Sequence, residues 1–170
     1  DAAVDVTQLR ARGDALQDVH DFREMLADLQ VGRLQAFRLV GEDLAYRVDL
    51  GSFRLALELA AASALPIMVF VGSPGVVQIH TGPVRSLKQV GPWFNVLDPG
   101  FNLHLREDHI AEAWVVLKPT KDGIVTSLEI YDEAGRQIAL MFGERHEGEA
   151  ELPEWRALID GLQPQGVAAE

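Results

Sequence analysis

The stretch Ile67-Met68-Val69-Phe70-Val71-Gly72-Ser73-Pro74-Gly75-Val76-Val77-Gln78-Ile79-His80 decides the fold. Two short apolar, β-branched runs, 67–71 and 76–80, flank a Gly-Ser-Pro-Gly segment whose residues supply turn geometry, which reads as a β-hairpin. Everything C-terminal to it keeps a period of two. Residues 93–97 form a strand stopped by Asp98-Pro99-Gly100, and Phe101, Leu103 and Leu105 then alternate with Asn102, His104 and Arg106, the pattern of a sheet with one wet face. A strand over 110–118 turns at 119–123, and 124–132 with 136–142 makes a further hairpin across Glu133-Ala134-Gly135. A closing helix over 152–162 carries Trp155, Leu158, Ile159 and Leu162.

Upstream of the hairpin the period is helical. Asp18 caps a helix in which Phe22, Leu26 and Leu29 recur beside Met25, and Gly32 ends it. A second short helix starts at Arg33 and buries Leu34 and Phe37, and a third spans 52–63 with Phe53, Leu57 and Ala60 on one face and Pro66 beyond its end. Short turns between successive strands imply antiparallel neighbours. The expected class is therefore α+β: N-terminal helices, one large, mostly antiparallel β-sheet and a C-terminal helix. Residues 14–162 read as a single domain, 1–13 as a linker or frayed N-terminal segment and 163–170 as a disordered tail.

Composition narrows the function. Twenty-six acidic against 15 basic residues give a net charge of −11, a field that repels nucleic acid at long range. An anionic small molecule remains possible where basic residues gather locally. No apolar run approaches the ~20 residues that span a bilayer, and no basic leader with an apolar core is visible. The expected compartment is the cytoplasm. Cysteine is absent, which excludes disulfides, thiolate metal sites and a cysteine nucleophile. There is no phosphate loop, dinucleotide fingerprint, His-Glu-x-x-His or Gly-x-Ser-x-Gly elbow.

The five histidines, His20, His80, His104, His109 and His146, show no shared helix face at metal-ligand spacing. His104 lies on a wet sheet face, His80 ends a strand where it can bond the Thr81 turn, and His109 and His146 sit in turn-like, solvated surroundings. His20 differs. Placed in the first helical turn after Asp18, it lies about 200° around the helix from Phe22 and points away from the packing stripe. Position alone leaves open an exposed histidine or a metal ligand.

Longer motifs carry a resemblance. Gln78-Ile79-His80-Thr81-Gly82-Pro83-Val84, Gly91-Pro92-Trp93-Phe94-Asn95-Val96-Leu97-Asp98-Pro99, Phe101-Asn102-Leu103-His104-Leu105, Ala111-Glu112-Ala113-Trp114-Val115-Val116 with Lys118-Pro119-Thr120, and the helix opening Asp18-Val19-His20-Asp21-Phe22 occur in order along the chain. Together they resemble the HemS/ChuS/HmuS family of haem transport and haem-degrading proteins, whose members contain two similar halves; these are motifs of the second half.

The resemblance implies a haem pocket between helices and sheet. It places the iron ligand at His20, where an imidazole nitrogen is a normal axial ligand. It places other pocket positions at Arg33, Phe70, Lys118, Phe142 and Arg145. Arg33, Lys118 and Arg145 would form a local basic cluster suited to the haem propionates. Phe70 and Phe142 would flank the porphyrin or serve as plain core.

The chain departs from the family where a basic residue often precedes the matching lysine and Leu117 stands here. It departs again where glutamine and tyrosine are common and Leu140 and Phe142 stand. In the family an arginine from the first half approaches the iron's other side, so the resemblance implies a homologous N-terminal half, or a second copy, as partner. It also implies a possible haem-receiving protein. The reading that follows is a cytoplasmic haem-binding protein for haem trafficking and iron acquisition. The alternatives are a haem-degrading enzyme that releases iron and a haem-free interaction domain.

Overall fold

The structure is a computed structural model describing residues 4–18 and 20–164. Helices α1 (Val6–Asp14), α2 (Asp21–Asp28) and α3 (Arg33–Leu39) precede strand β1 (Ala45–Val48) and helix α4 (Ser52–Ser63). Strands β2 (Ile67–Ser73), β3 (Val76–Gly82), β4 (Leu87–Val90), β5 (Trp93–Asp98), β6 (Phe101–Arg106), β7 (Glu112–Thr120), β8 (Gly123–Tyr131) and β9 (Gln137–Gly143) follow, and α5 (Pro153–Asp160) closes the fold. The class is the expected one, with every strand pair antiparallel. The strands divide between a six-stranded sheet, ordered β1-β7-β8-β9-β2-β3, and a separate three-stranded sheet, β4-β5-β6.

The hairpin at 67–80 forms as read. Ser73 pairs with Val76 across Pro74-Gly75, and Gly75 holds φ +85°, a left-handed conformation that glycine adopts without steric cost. Alternation along the large sheet then sends side chains to two cores. Val115, Leu128, Ile130, Met141, Ile67 and Val69 meet α4, α5 and the small sheet through Phe53, Leu57, Phe94, Leu105 and Trp155. On the opposite face, Trp114, Val116 and Tyr131 meet Leu9, Phe22, Met25 and Phe37 of α1–α3. These helices cover the β1-β7-β8 side of that face.

Several expectations need correction. Residues 6–14 form α1, capped by the Asp5 carboxylate at Gln8 N (3.0 Å), and Leu9 is fully buried, so this part of the expected 1–13 segment packs instead of fraying; 1–3 lie outside the described residues. Helix α2 begins at Asp21, not in the turn after Asp18. Asp18 Oδ1 accepts from His20 N (2.9 Å) and Asp21 Oδ2 accepts from Asp18 N (3.1 Å), a local loop that makes His20 the capping residue. The helix ends before Gly32. Gln30 takes φ +54° and Val31 N donates to Leu26 O (3.0 Å), a closure driven by burial of Val31. Gly32 is instead the cap of α3. At the C-terminus, Gln163 O accepts from Asp49 N (3.0 Å) and Pro164 bridges Val48, so these two residues of the expected tail are anchored; 165–170 lie outside the described residues.

The large sheet contains a split that matters for the site. β8 pairs with β7 along its whole length, but with β9 only from Leu128 to Tyr131. β9 runs on through Phe142 and Gly143 paired with β2 alone. Where β9 has left, the Glu151 carboxylate takes over, accepting from Thr126 N (2.7 Å) and Thr126 Oγ1 (2.8 Å).

Candidate functional site

A cavity of about 810 Å³ lies where the α1–α3 layer ends over this split, and its lining includes His20, Arg33, Phe70, Lys118, Phe142 and Arg145. All six positions named from the sequence therefore meet at one place. Helix α2 serves two environments. Phe22, Met25 and Leu26 face the core, while His20, Arg23, Glu24 and Ala27, one turn apart on the other side, face the cavity. The floor comes from the sheet, with Met68 and Phe70 of β2, Ile79 of β3 and Leu140 and Phe142 of β9. Phe70 and Phe142 meet edge to face at 5.4 Å and are only partly buried, so they are wall, not core.

The three cations of the expected basic cluster all line the cavity, and each has a partner within the protein. Arg33 donates from Nε to Glu129 Oε1 (2.9 Å) and Tyr131 Oη (2.8 Å), and from Nη2 to Glu129 Oε2 (3.0 Å). Lys118 Nζ donates to Glu129 Oε2 at 3.2 Å. Arg145 Nη1 donates to Glu149 O (3.0 Å) and lies 3.4 Å from Asp122 Oδ2. Phe22 sits beneath both inner cations, 5.0 Å from the Arg33 guanidinium carbon and 5.5 Å from Lys118 Nζ, and Phe142 is 5.3 Å from the latter.

Glu129 organises this wall. Its side chain is 0% exposed, and it also accepts from Ser127 Oγ and Tyr131 Oη, both at 2.6 Å. Burial disfavours its charge, but Lys118, Arg33 and these hydrogen bonds outweigh burial and hold the carboxyl far below the usual range. Burial pulls Lys118 down from the ordinary lysine value; Glu129 offsets part of this and Arg33 adds to it. Burial also opposes the Arg33 charge, but Glu129 and Tyr131 raise it overall. The Tyr131 phenol is pushed up by burial and by Glu129, so it stays a donor.

Sequence reading missed Glu129, Arg23 and Glu151. Strand alternation does put Glu129 on one face with Ser127 and Tyr131, but nothing in that pattern tells that α3 covers the face. Of the family departures, Leu140 and Phe142 line the cavity in place of polar groups, whereas Leu117 points to the opposite core. The other histidines take no part in the lining. His80 stacks on Phe101 (3.9 Å, 8°) instead of bonding the Thr81 turn, because β3 passes over the small sheet there. His104 sits on its wet face with Nδ1 2.7 Å from Asn95 Oδ1.

Comparison with known proteins agrees with this architecture. The haemin-degrading HemS/ChuX domain family matches residues 30–162. The chain belongs to that family. This HemS/ChuX domain is 45% identical over 169 residues to the hemin transport protein HemS of Yersinia enterocolitica, covering 99% of this chain and 48% of that protein. Its fold superimposes on holo-PhuS, a heme-binding protein from Pseudomonas aeruginosa, with TM-score 0.94 and 48% identity over 96% of this chain and 47% of that one. ChuS, an E. coli heme oxygenase, gives TM-score 0.91 and 44% identity over 95% of this chain and 50% of its own. ChuX shares the fold at TM-score 0.70 with 12% identity, covering 89% of this chain and 93% of its own. The HemS/ChuX domain thus spans about half the length of its more similar relatives.

The lining fits an iron porphyrin. Its volume lies in the ~300–1,000 Å³ range of ligand pockets. It offers an apolar floor with two aromatic rings, cations for an acidic edge, and an exposed imidazole at a helix start.

Proposed function

We propose that this domain binds haem in the cavity over the split sheet, with His20 as the axial ligand, and serves cytoplasmic haem trafficking for iron acquisition. The support is one observation: the family's pocket positions, which lie far apart in the chain, line a single cavity. Haem iron supplies an open coordination position. His20 offers its ring from the cap of α2, Phe70 and Phe142 contact the macrocycle, and Arg33, Lys118 and Arg145 receive the propionates. The remaining face is open here, and a homologous half or a second copy covers it. A haem-receiving protein would approach from that side.

The test is a haemin titration followed by absorbance, run on the native chain and on His20→Ala. Stoichiometric binding with a histidine-type Soret band, shifted or lost in the variant, supports the proposal. Equal, unsaturable uptake by both removes His20 as ligand and favours a haem-free interaction domain, the reading to which Leu140, an apolar residue in the cavity lining, lends support.

A second reading, haem degradation, draws on the 44% identity to the E. coli heme oxygenase ChuS. In that case the haem is itself the substrate, consumed with an electron donor and oxygen, and the protein mainly orients it. Loss of the Soret band under reductant, with catalase present to remove stray peroxide, favours degradation; a stable band favours transport.

A further inference from the structure

Two cations at the inner wall share one carboxylate. Arg33 and Lys118 both bond Glu129, and Arg33, 27% exposed at its side chain, is the more accessible of the two; Lys118 is 4% exposed. Among the described residues nothing accepts from Arg33 Nη1, and Glu129 is the sole acceptor for Lys118 Nζ. We infer that Glu129 is a positioning residue that sets the wall's charge at one net positive, holding Arg33 so that it receives a single carboxylate of the bound ligand. The inference rests on the haem reading of the cavity and goes beyond it by fixing how many acid groups this wall accepts.

The surrounding charges are consistent with that count. Arg23 and Glu24 of α2 line the cavity together, Glu151 is faced by Arg156 at 3.9 Å, and Arg145 is engaged by Glu149 O and Asp122. The unbalanced charge of the inner wall is therefore that of the Arg33–Lys118–Glu129 group. Tyr131 completes it as a neutral donor, itself steadied by Gln137 Nε2 at 3.1 Å.

The charge count makes a prediction that shape alone does not. Glu129→Gln keeps the side-chain outline and removes the wall's one negative charge. Lys118→Met leaves it at zero. The Lys118→Met/Glu129→Gln double variant returns it to one. The readout is the ratio of dissociation constants for haemin and haemin dimethyl ester, which differ in the acid groups the wall would meet.

Glu129→Gln should raise the preference for the free acid about tenfold, and Lys118→Met should lower it by about as much, the scale of one charge-assisted hydrogen bond. The double variant should return within roughly threefold of native, because the two changes cancel at one wall. Near-UV circular dichroism checks folding. If Glu129→Gln does not fold, native, Lys118→Met and the double variant still decide the matter. A double variant no better than Lys118→Met, or a ratio unmoved throughout, overturns the inference.

Titration of the same proteins with 8-anilinonaphthalene-1-sulfonate, an aromatic anion that needs no iron ligand, separates the two levels of the argument. The same order of affinities there, without saturable haemin binding, sinks only the haem reading. A different order with this dye sinks the wall-charge inference itself.

Discussion

Glu129 remains ionised without exposed surface because Arg33, Lys118, Ser127 and Tyr131 all donate to it. Its folded-state carboxyl lies below its unfolded value, so the unfolded chain takes up a proton first as the pH falls. Its stabilising contribution is complete above the unfolded carboxylate value of about 4.3 and is lost progressively below it. Urea unfolding between pH 3 and pH 7 should show a steeper acid-side loss for the native chain than for Glu129→Gln. At pH 7 that variant should be less stable by about 3 kcal/mol, because buried Lys118 and half-buried Arg33 lose their shared partner. Adding Lys118→Met should recover part of the loss.

His20 makes the contrasting case. It is exposed and its side chain caps nothing, so His20→Ala should leave unfolding free energy within about 0.5 kcal/mol of native. Loss of haemin binding in that variant would then report on the ligand and not on the fold. His20 was legible only through its motif. Glu129 was not legible at all, since an acidic residue on a strand reads as wet until the helix above it is known.

At the scale of elements, α5 is fastened behind the cavity wall. Trp155 is fully buried and its Nε1 donates to Thr126 O (3.0 Å), next to the Thr126 groups held by Glu151. Gly143, at the end of β9, lies against that indole. A Cβ there would stand 2.6 Å from Trp155 Cγ, so the contact requires glycine for room, not for its backbone angle. Gly143→Ala should cost about 1–3 kcal/mol, the range for overpacking a core, read as a lowered thermal midpoint.

The same scale shows which elements a sequence discloses. Hairpins punctuated by Pro74-Gly75 and by Ala134-Gly135 announced themselves through turn chemistry and a period of two. β1 did not, because Ala45–Val48 is four residues of mixed character whose strand state depends on pairing with β7. β4 did not either: Lys88, Gln89 and Val90 are exposed and carry no alternation, and β5 alone gives them their register. Helix α1 was passed over because a single anchor, Leu9, commits it to the core.

At the scale of the molecule, β3 ends the six-stranded sheet and leaves Val76 58%, Val77 61% and Ile79 57% exposed. Apolar residues on an unpaired edge invite another strand or surface. The isolated domain should self-associate at micromolar concentration in sedimentation velocity, and Val77→Lys should shift it toward monomer without changing its thermal midpoint by more than a few degrees. Equal sedimentation of the two proteins would show that this edge does not carry self-association.

The parting of β8 from β9 has a consequence for motion. Between Thr126 on one strand and Phe142 and Gly143 on the other, no ladder joins the two sides of the sheet, and the cavity lies over that seam. A flat ligand seated there touches both sides and takes the place of the missing rungs. Loading the site should therefore slow hydrogen exchange at Val125–Ser127 and at Phe142–Gly143 together, as a splint stiffens both edges of a break.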